Sequence, residues 1–233
     1  MARKKQLRGL HESMILNATS LNQEKSLVKA VKRVAEDLIV EFHGIELRHQ
    51  VNWYLKDVVA KLKKDFPSEE FVYYFDSSSM RPDGGILSIC SKDGNAYPVL
   101  ISEKKNQGTN DIRAREGKKK QAKGNAIERL GKNVIGLRTA LLTESIFPFV
   151  CFGDGCDFAD DSSILDRVIT IAEFGKLNEE HLHNTGKGGM FNRGTFYFRV
   201  QEWTEDEMYA RCLAIAQKSI YYYFSKYGKE AFL

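Results

Sequence analysis

The sequence predicts an α/β protein with a mixed central β-sheet flanked by helices. Three observations predict it. Apolar runs of strand length lie at 71–76, 85–91 and 96–104, and Asp93-Gly94 between the last two is a tight-turn pair that makes them an antiparallel hairpin. Ile127, Leu130, Val134, Leu137 and Leu141 then recur at helical spacing, and a further apolar run at 147–152 completes a β-α-β unit, which adds a parallel strand. Helical stripes precede and follow this block. A chain of 233 residues suits a single domain, 1–233, large enough to bury a core without disulfides.

Taken in order, residues 1–20 are basic and then polar, and read as a basic N-terminal arm that orders on binding. From about Asn22 a helical period sets in, with Leu27, Val28, Val31, Val34, Ala35, Leu38 and Ile39 on one stripe and Gly44 placed to stop it. A second helix carries Val51, Leu55, Val58, Val59 and Leu62 and is ended by Pro67. These stripes are core faces and carry no chemistry. After the three strands, residues 106–122 hold little apolar content and read as an exposed loop. Gly124 opens the next helix. Residues 154–163 are acidic and loop-like, 164–174 form a short helix or strand, and 181–189 are rich in turn residues. A strand at 195–200 leads into a helix from about Thr204, with Glu205 and Glu207 in its first turn, where the helix dipole favours acids. Its stripe of Met208, Cys212, Ile215, Ala216, Ser219 and Tyr223 ends among Tyr221, Tyr222 and Phe224. That is more aromatic surface than one helix needs, so part of it is expected to meet a second subunit.

Hydrophobic residues at 42% and charged residues at 28% are ordinary for a soluble globular protein. No apolar run approaches a membrane span, and Met1-Ala2-Arg3-Lys4-Lys5 leads into no signal-peptide core, so the cytoplasm is the expected compartment and no membrane partner is expected. Cys90, Cys151, Cys156 and Cys212 form no CxxC pair, as suits reduced thiols. Cys151, Cys156, His181 and His183 match no standard zinc spacing, and the two histidines read as loop residues. The net charge of +4 is unevenly spread. From Lys104 to Lys132 seven Lys and three Arg face only Asp111, Glu116 and Glu128, a net of +7 against −3 for the rest of the chain. Such a stretch is what a phosphate-binding surface needs.

Beside that stretch lies a candidate metal site. Glu103 and Lys105 leave the third strand on one face while Lys104 points to the other. If Asp83, in the turn Pro82-Asp83-Gly84-Gly85, enters the second strand on the same face, two carboxylates and one ammonium converge. Mg²⁺ keeps several waters and takes one or two protein carboxylates plus substrate phosphate, and Asp83 with Glu103 supplies that number. A surface hairpin with solvated charges is the competing reading, and the short motif does not choose between them. Asn125 and Arg129 are four apart, hence on one face near a helix start. Asn can make two hydrogen bonds to the adenine edge and a helix N-terminus favours phosphate, yet the spacing alone fits a capping segment with one exposed Arg equally well.

Pro82-Asp83-Gly84-Gly85, Glu103-Lys104-Lys105-Asn106-Gln107-Gly108 and Gly124-Asn125-Ala126-Ile127-Glu128-Arg129 follow in the order found in EcoRI-type restriction endonucleases. The chain resembles that family over 71–153, continuing through Thr143-Glu144-Ser145-Ile146-Phe147-Pro148-Phe149-Val150, and much less outside. The resemblance implies a restriction-endonuclease-like fold and Mg²⁺-dependent hydrolysis of double-stranded DNA at a short palindrome containing AATT. It implies a homodimer, one strand cut by each subunit, and four-base 5′ overhangs. Asp83 and Glu103 are then metal ligands, and Lys105 completes the catalytic set by orienting the attacking water. Asn125, Ala126 and Arg129 contact the central AATT, with Gly124 and Glu128 in the same segment. Apart from the resemblance, which is poor over 117–123, the basic stretch adds Lys118, Lys119 and Lys120 to the DNA-contacting set, with Arg81, and Lys123 is placed toward the outer base pair. The sequence departs from the family at Lys104, where relatives carry a small residue, so the far side of that strand must house a long cation. Two alternatives share the motif: a less specific nuclease of repair or recombination, and a DNA-binding relative without catalysis.

Overall fold

The computed structural model describes residues 10–106, 117, 125–155, 158–159, 162–172 and 176–233, and their side chains apart from those of 10–23, 125, 126 and 163. Its strands are β1 (Glu46–Gln50), β2 (Trp53–Tyr54), β3 (Ser79–Met80), β4 (Gly85–Cys90), β5 (Ala96–Asn106), β6 (Phe149–Asp154) and β7 (Thr195–Arg199). Its α-helices are α1 (Leu10–Glu41), α2 (Leu55–Asp65), α3 (Asn125–Ala140), α4 (Ser163–Ile171) and α5 (Glu205–Tyr227). A five-stranded sheet has the order β1-β4-β5-β6-β7, antiparallel from β1 to β5 and parallel across β5-β6 and β6-β7. This is the mixed α/β sheet the sequence predicts. β2 and β3 form a separate antiparallel pair.

Alternation along the strands divides the core into two layers. On β6, Val150 and Phe152 face α1 and α5, where Leu27, Val31, Val34 and Leu38 meet Met208, Cys212, Ile215 and Ala216. Phe149 and Cys151 face the other way, toward Ile127, Leu130, Val134 and Leu137 of α3 and Val168 of α4. Each such Val, Leu, Ile, Phe or Met side chain, fully withdrawn from water, contributes about 1.5–3 kcal/mol. The predicted stripes of α3 and α5 therefore are core faces, and so is that of α1 except at Val28 and Ile39, which lie on its outer side and are exposed. In the β4-β5 hairpin Leu87 faces Leu100 but Ser88 faces Pro98, so Val99 is an extra residue. That bulge lets Val99 and Leu100 both join the α1/α5 layer, while Ile101 turns to the α3/α4 layer.

The structure corrects several expectations. Residues 71–76 are not a strand: Val72, Tyr73, Tyr74 and Phe75 are exposed, and β1 occupies the edge of β4 that such a strand would have taken. β1 itself, Glu-Leu-Arg-His-Gln, was hidden because an exposed edge strand needs no apolar alternation. The second helix starts at Leu55, leaving Val51 in a bend with its side chain in water. α1 begins at Leu10, so the described half of the stretch expected as an arm is helical, and residues 1–9 lie outside the described residues. Asp154, assigned to an acidic loop, is the buried last residue of β6. The segment 164–174, open between helix and strand, is helical over Ser163–Ile171. Most of the terminal aromatics serve this chain's own packing. Tyr223 is buried against Tyr97 and Tyr227, Phe224 packs on Phe42 and Phe232, and Tyr222 hydrogen-bonds Glu144; Tyr221, though edge-on to Phe42, and Tyr227 stay exposed.

Candidate active site

Two neighbouring strand ends build the site. Glu103 and Lys105 are two apart on β5, so both side chains leave toward the α3/α4 layer, in line with Ile101. Asp83 arrives on the turn into β4, closed by Gly85 N donating to Pro82 O at 3.0 Å and tied to β5 by Gly84 N donating to Ser102 O at 2.9 Å. Gly85 is required by its backbone conformation, and Gly84 lets the turn lie close against β5. A Cβ on Gly84 would stand 2.1 Å from Ser102 Oγ, and Gly85 has φ +77° with His49 Nε2 2.5 Å from where its Cβ would be. His49, on β1, donates from Nε2 to Gly84 O at 2.9 Å and so braces the turn.

The three side chains meet. Lys105 Nζ lies 3.3 Å from Asp83 Oδ2 and makes a closer hydrogen bond to Glu103 Oε1. Backbone donors lock the carboxylates: Asp83 N donates to Glu103 Oε2 at 3.1 Å, and Lys104 N donates to Asp83 Oδ2 at 3.0 Å. Side-chain exposure falls from 24% at Asp83 through 15% at Lys105 to 2% at Glu103, so the site opens on the Asp83 side. Burial pushes the Glu103 carboxyl above its ordinary range and the nearby Asp83 charge pushes the same way, with Lys105 opposing both. Burial would lower Lys105, but the charges of Glu103 and Asp83 outweigh it and hold the ammonium above its usual value. Cys151, opposite Glu103 in the β5-β6 register, is kept a neutral thiol by burial.

This donor set fits a hard dication. Two carboxylates share a single ammonium, leaving a net negative charge, and the buried Glu103 has the unfavourable ionisation that an added positive charge relieves. Both ligands are oxygen, and among the described residues no cluster of three or more His, Cys, Asp and Glu side chains is suited to a metal. The residues therefore suit magnesium with water and phosphate completing its shell, and not an all-protein cage. Asp83 and Glu103 are the residues that could hold it.

The remaining sequence-predicted residues are distributed differently. Arg81 is exposed, two residues before Asp83. Glu128 and Arg129 are exposed on α3, whose first residue is Asn125, followed by Ala126. Lys118, Lys119, Lys120, Lys123 and Gly124 lie outside the described residues, as does Cys156. Sequence reasoning missed His49, for which no local signal exists in a polar edge strand. It also missed the partner of Lys104: across the sheet from the site, Lys104 pairs with Asp154, both side chains 2% exposed. An acid directly after the apolar run Phe149-Val150-Cys151-Phe152-Gly153 was the available clue.

Among known proteins, the family described as restriction endonuclease EcoRI matches residues 10–230. The type II restriction enzyme RsrI of Cereibacter sphaeroides is 29% identical over 240 residues, covering 88% of this chain and 86% of that one. The type II restriction enzyme EcoRI of Escherichia coli is 31% identical over 144 residues, covering 58% of this chain and 52% of that one.

Proposed function

The chain belongs to the EcoRI restriction endonuclease family and is a type II restriction endonuclease, and we propose that it cuts double-stranded DNA at a short palindrome containing AATT, with Mg²⁺, leaving 5′ overhangs. The observation that carries the catalytic reading is the meeting of Asp83, Glu103 and Lys105 on one face of β5, on the same side of the sheet as α3. In this reading Asp83 and Glu103 hold Mg²⁺, which when bound supplies charge to polarise the scissile phosphate and lower the pKa of water. Lys105, kept charged by its two carboxylate neighbours, orients the attacking water and faces the negative charge that builds on the phosphate. The backbone N–H groups of Asp83 and Lys104 fix both carboxylates before DNA arrives, so little reorganisation accompanies the reaction.

Recognition is assigned to the start of α3, through Asn125, Ala126 and Arg129, with Gly124 and Glu128 in the same segment. Lys118, Lys119, Lys120 and Arg81 bind phosphates, and Lys123 contacts the outer base pair. The working unit is a homodimer in the cytoplasm, because a two-fold symmetric site is matched by two-fold symmetric protein. Each chain forms one domain.

Incubating a sequenced plasmid with the protein and Mg²⁺ tests this reading. Discrete fragments with ends mapping to AATT-containing sites are expected. A smear would favour a less specific nuclease, and no cutting a DNA-binding relative without catalysis. Asp83→Ala and Glu103→Gln should abolish cutting and leave DNA binding largely intact, since each removes a metal ligand and no base contact. Near-normal cutting by either variant would show the metal site to be misassigned.

A further inference from the structure

Lys104 stands between two catalytic residues and is fastened on both faces of the sheet. On the site's face its backbone N–H donates to Asp83 Oδ2 at 3.0 Å. On the other, its ammonium pairs with Asp154 where both side chains are 2% exposed. The same Asp154 carboxylate accepts from Asn106 Nδ2 at 2.9 Å and from the backbone N of Trp203 at 3.1 Å. Asn106 sits directly opposite Asp154 in the parallel β5-β6 register. Trp203 is fixed in turn, its Nε1 donating to Gly153 O at 3.0 Å and its ring lying 3.7 Å beneath the Arg199 guanidinium. One carboxylate at the end of β6 thus holds Lys104 and Asn106, the residues that alternate with Glu103 and Lys105.

A buried ion pair is a poor device for stability alone, since an apolar pair of similar volume is often as stable or more so. Its distinct property is directional. Tying positions 104 and 106 to one point fixes the depth and rotation of β5 over 103–106, and side chains on the reverse of a strand follow that rotation. We propose that the Lys104–Asp154 pair, with Asn106, is a positioning device that sets the meeting of Glu103 and Lys105 with Asp83. Lys104 and Asp154 are positioning residues, and their role rests on the catalytic reading given above.

The test compares Asp154→Asn and the double variant Lys104→Met/Asp154→Asn with the wild type. The double variant removes the unpaired buried ammonium that the single one leaves. Single-turnover cleavage at saturating DNA, the Mg²⁺ concentration for half-maximal rate, DNA affinity without metal, and melting temperature are measured. The expected result is a single-turnover rate lower by roughly ten- to a hundredfold, because catalysis is sensitive to misplacement of about an ångström. Half-saturating Mg²⁺ should rise, while DNA affinity and, in the double variant, melting temperature stay near wild type. A folded variant that cleaves at the wild-type rate overturns the proposal. Collapse of both variants also overturns it, by assigning the pair to folding. Glu103→Gln separates this inference from its premise: if that variant cuts, the catalytic reading itself falls, whereas if it is inactive and Asp154→Asn cuts normally, only the positioning role falls.

Discussion

Glu103 carries the strongest local constraint, being a carboxylate withdrawn from water yet placed beside another carboxylate. Its folded-state pKa lies above the ordinary 4.5, chiefly through burial, so the folded protein holds this proton more tightly than the unfolded chain. Stability drawn from that proton is full below 4.5, falls as the pH rises through the window between 4.5 and the folded value, and is absent above it. Thermal unfolding in chelator should therefore show the wild type losing ground to Glu103→Gln as the pH is raised from 4.5, and added Mg²⁺ should recover it. A difference between the two proteins that is independent of pH would mean that Glu103 ionises as freely when folded as when unfolded. The carboxylate's burial was not legible in Glu103-Lys104-Lys105, which reads as a surface run. The strand period gave the facing of all three residues, but only the tertiary packing decided that the first is dry.

At the scale of elements, the N-terminus of α5 has a visible structural role, while that of α3 is the segment proposed to read bases. The start of α5 is a structural cap: Thr204 Oγ accepts from Glu207 N at 3.2 Å, and Glu207 Oε2 accepts from Thr204 N at 3.0 Å. Arg199 and then Thr204 hold the Glu207 carboxyl down to about 2, so its contribution is present above the ordinary 4.5 and is lost as the pH falls through about 2. Thr204→Ala should destabilise by about 1 kcal/mol at neutral pH in urea denaturation, with cleavage specificity unchanged. If the start of α3 reads bases, as proposed, Asn125→Ala and Arg129→Lys should change which sequence is cut. Losing one bidentate base contact costs roughly 1–3 kcal/mol, about tenfold or more in discrimination at the inner A·T pairs. Cleavage of the mapped site and its single-base variants measures this, with Asp83→Ala as the inactive control. Full rate and full selectivity in both variants would place the reading helix elsewhere.

For the whole molecule, the sheet separates two layers with different tasks. α1 and α5 pack against one face, while the other carries Glu103, Lys105 and α3. The buried Glu144 fastens these parts near the end of α5, accepting from Lys226 at 2.7 Å and from Tyr222 at 3.1 Å. If the basic stretch that follows β5 lies along DNA, binding should weaken steeply with salt. Six phosphate contacts give a log-log slope of about −5, measured by DNA affinity across a salt series. A slope near −1 would reduce that stretch to a solvated loop. Replacing Lys118, Lys119 and Lys120 together should weaken specific and nonspecific DNA alike.

The sequence by itself determined the α/β class, the hairpin that carries Glu103 and Lys105, the core stripes of α3 and α5 and most of that of α1, and the family. Those features depend on local periodicity and on motifs whose order survives without structure. The tertiary fold alone decided that β1 flanks β4 while 71–76 stays unpaired, because strand propensity yields to whichever segment can pair and be covered. It also decided that His49 braces the Gly84-Gly85 turn and that Asp154 answers Lys104. Both contacts join residues at least 35 apart in the chain, and a charge fit to be buried looks in sequence like one fit for water until its partner across the sheet is known.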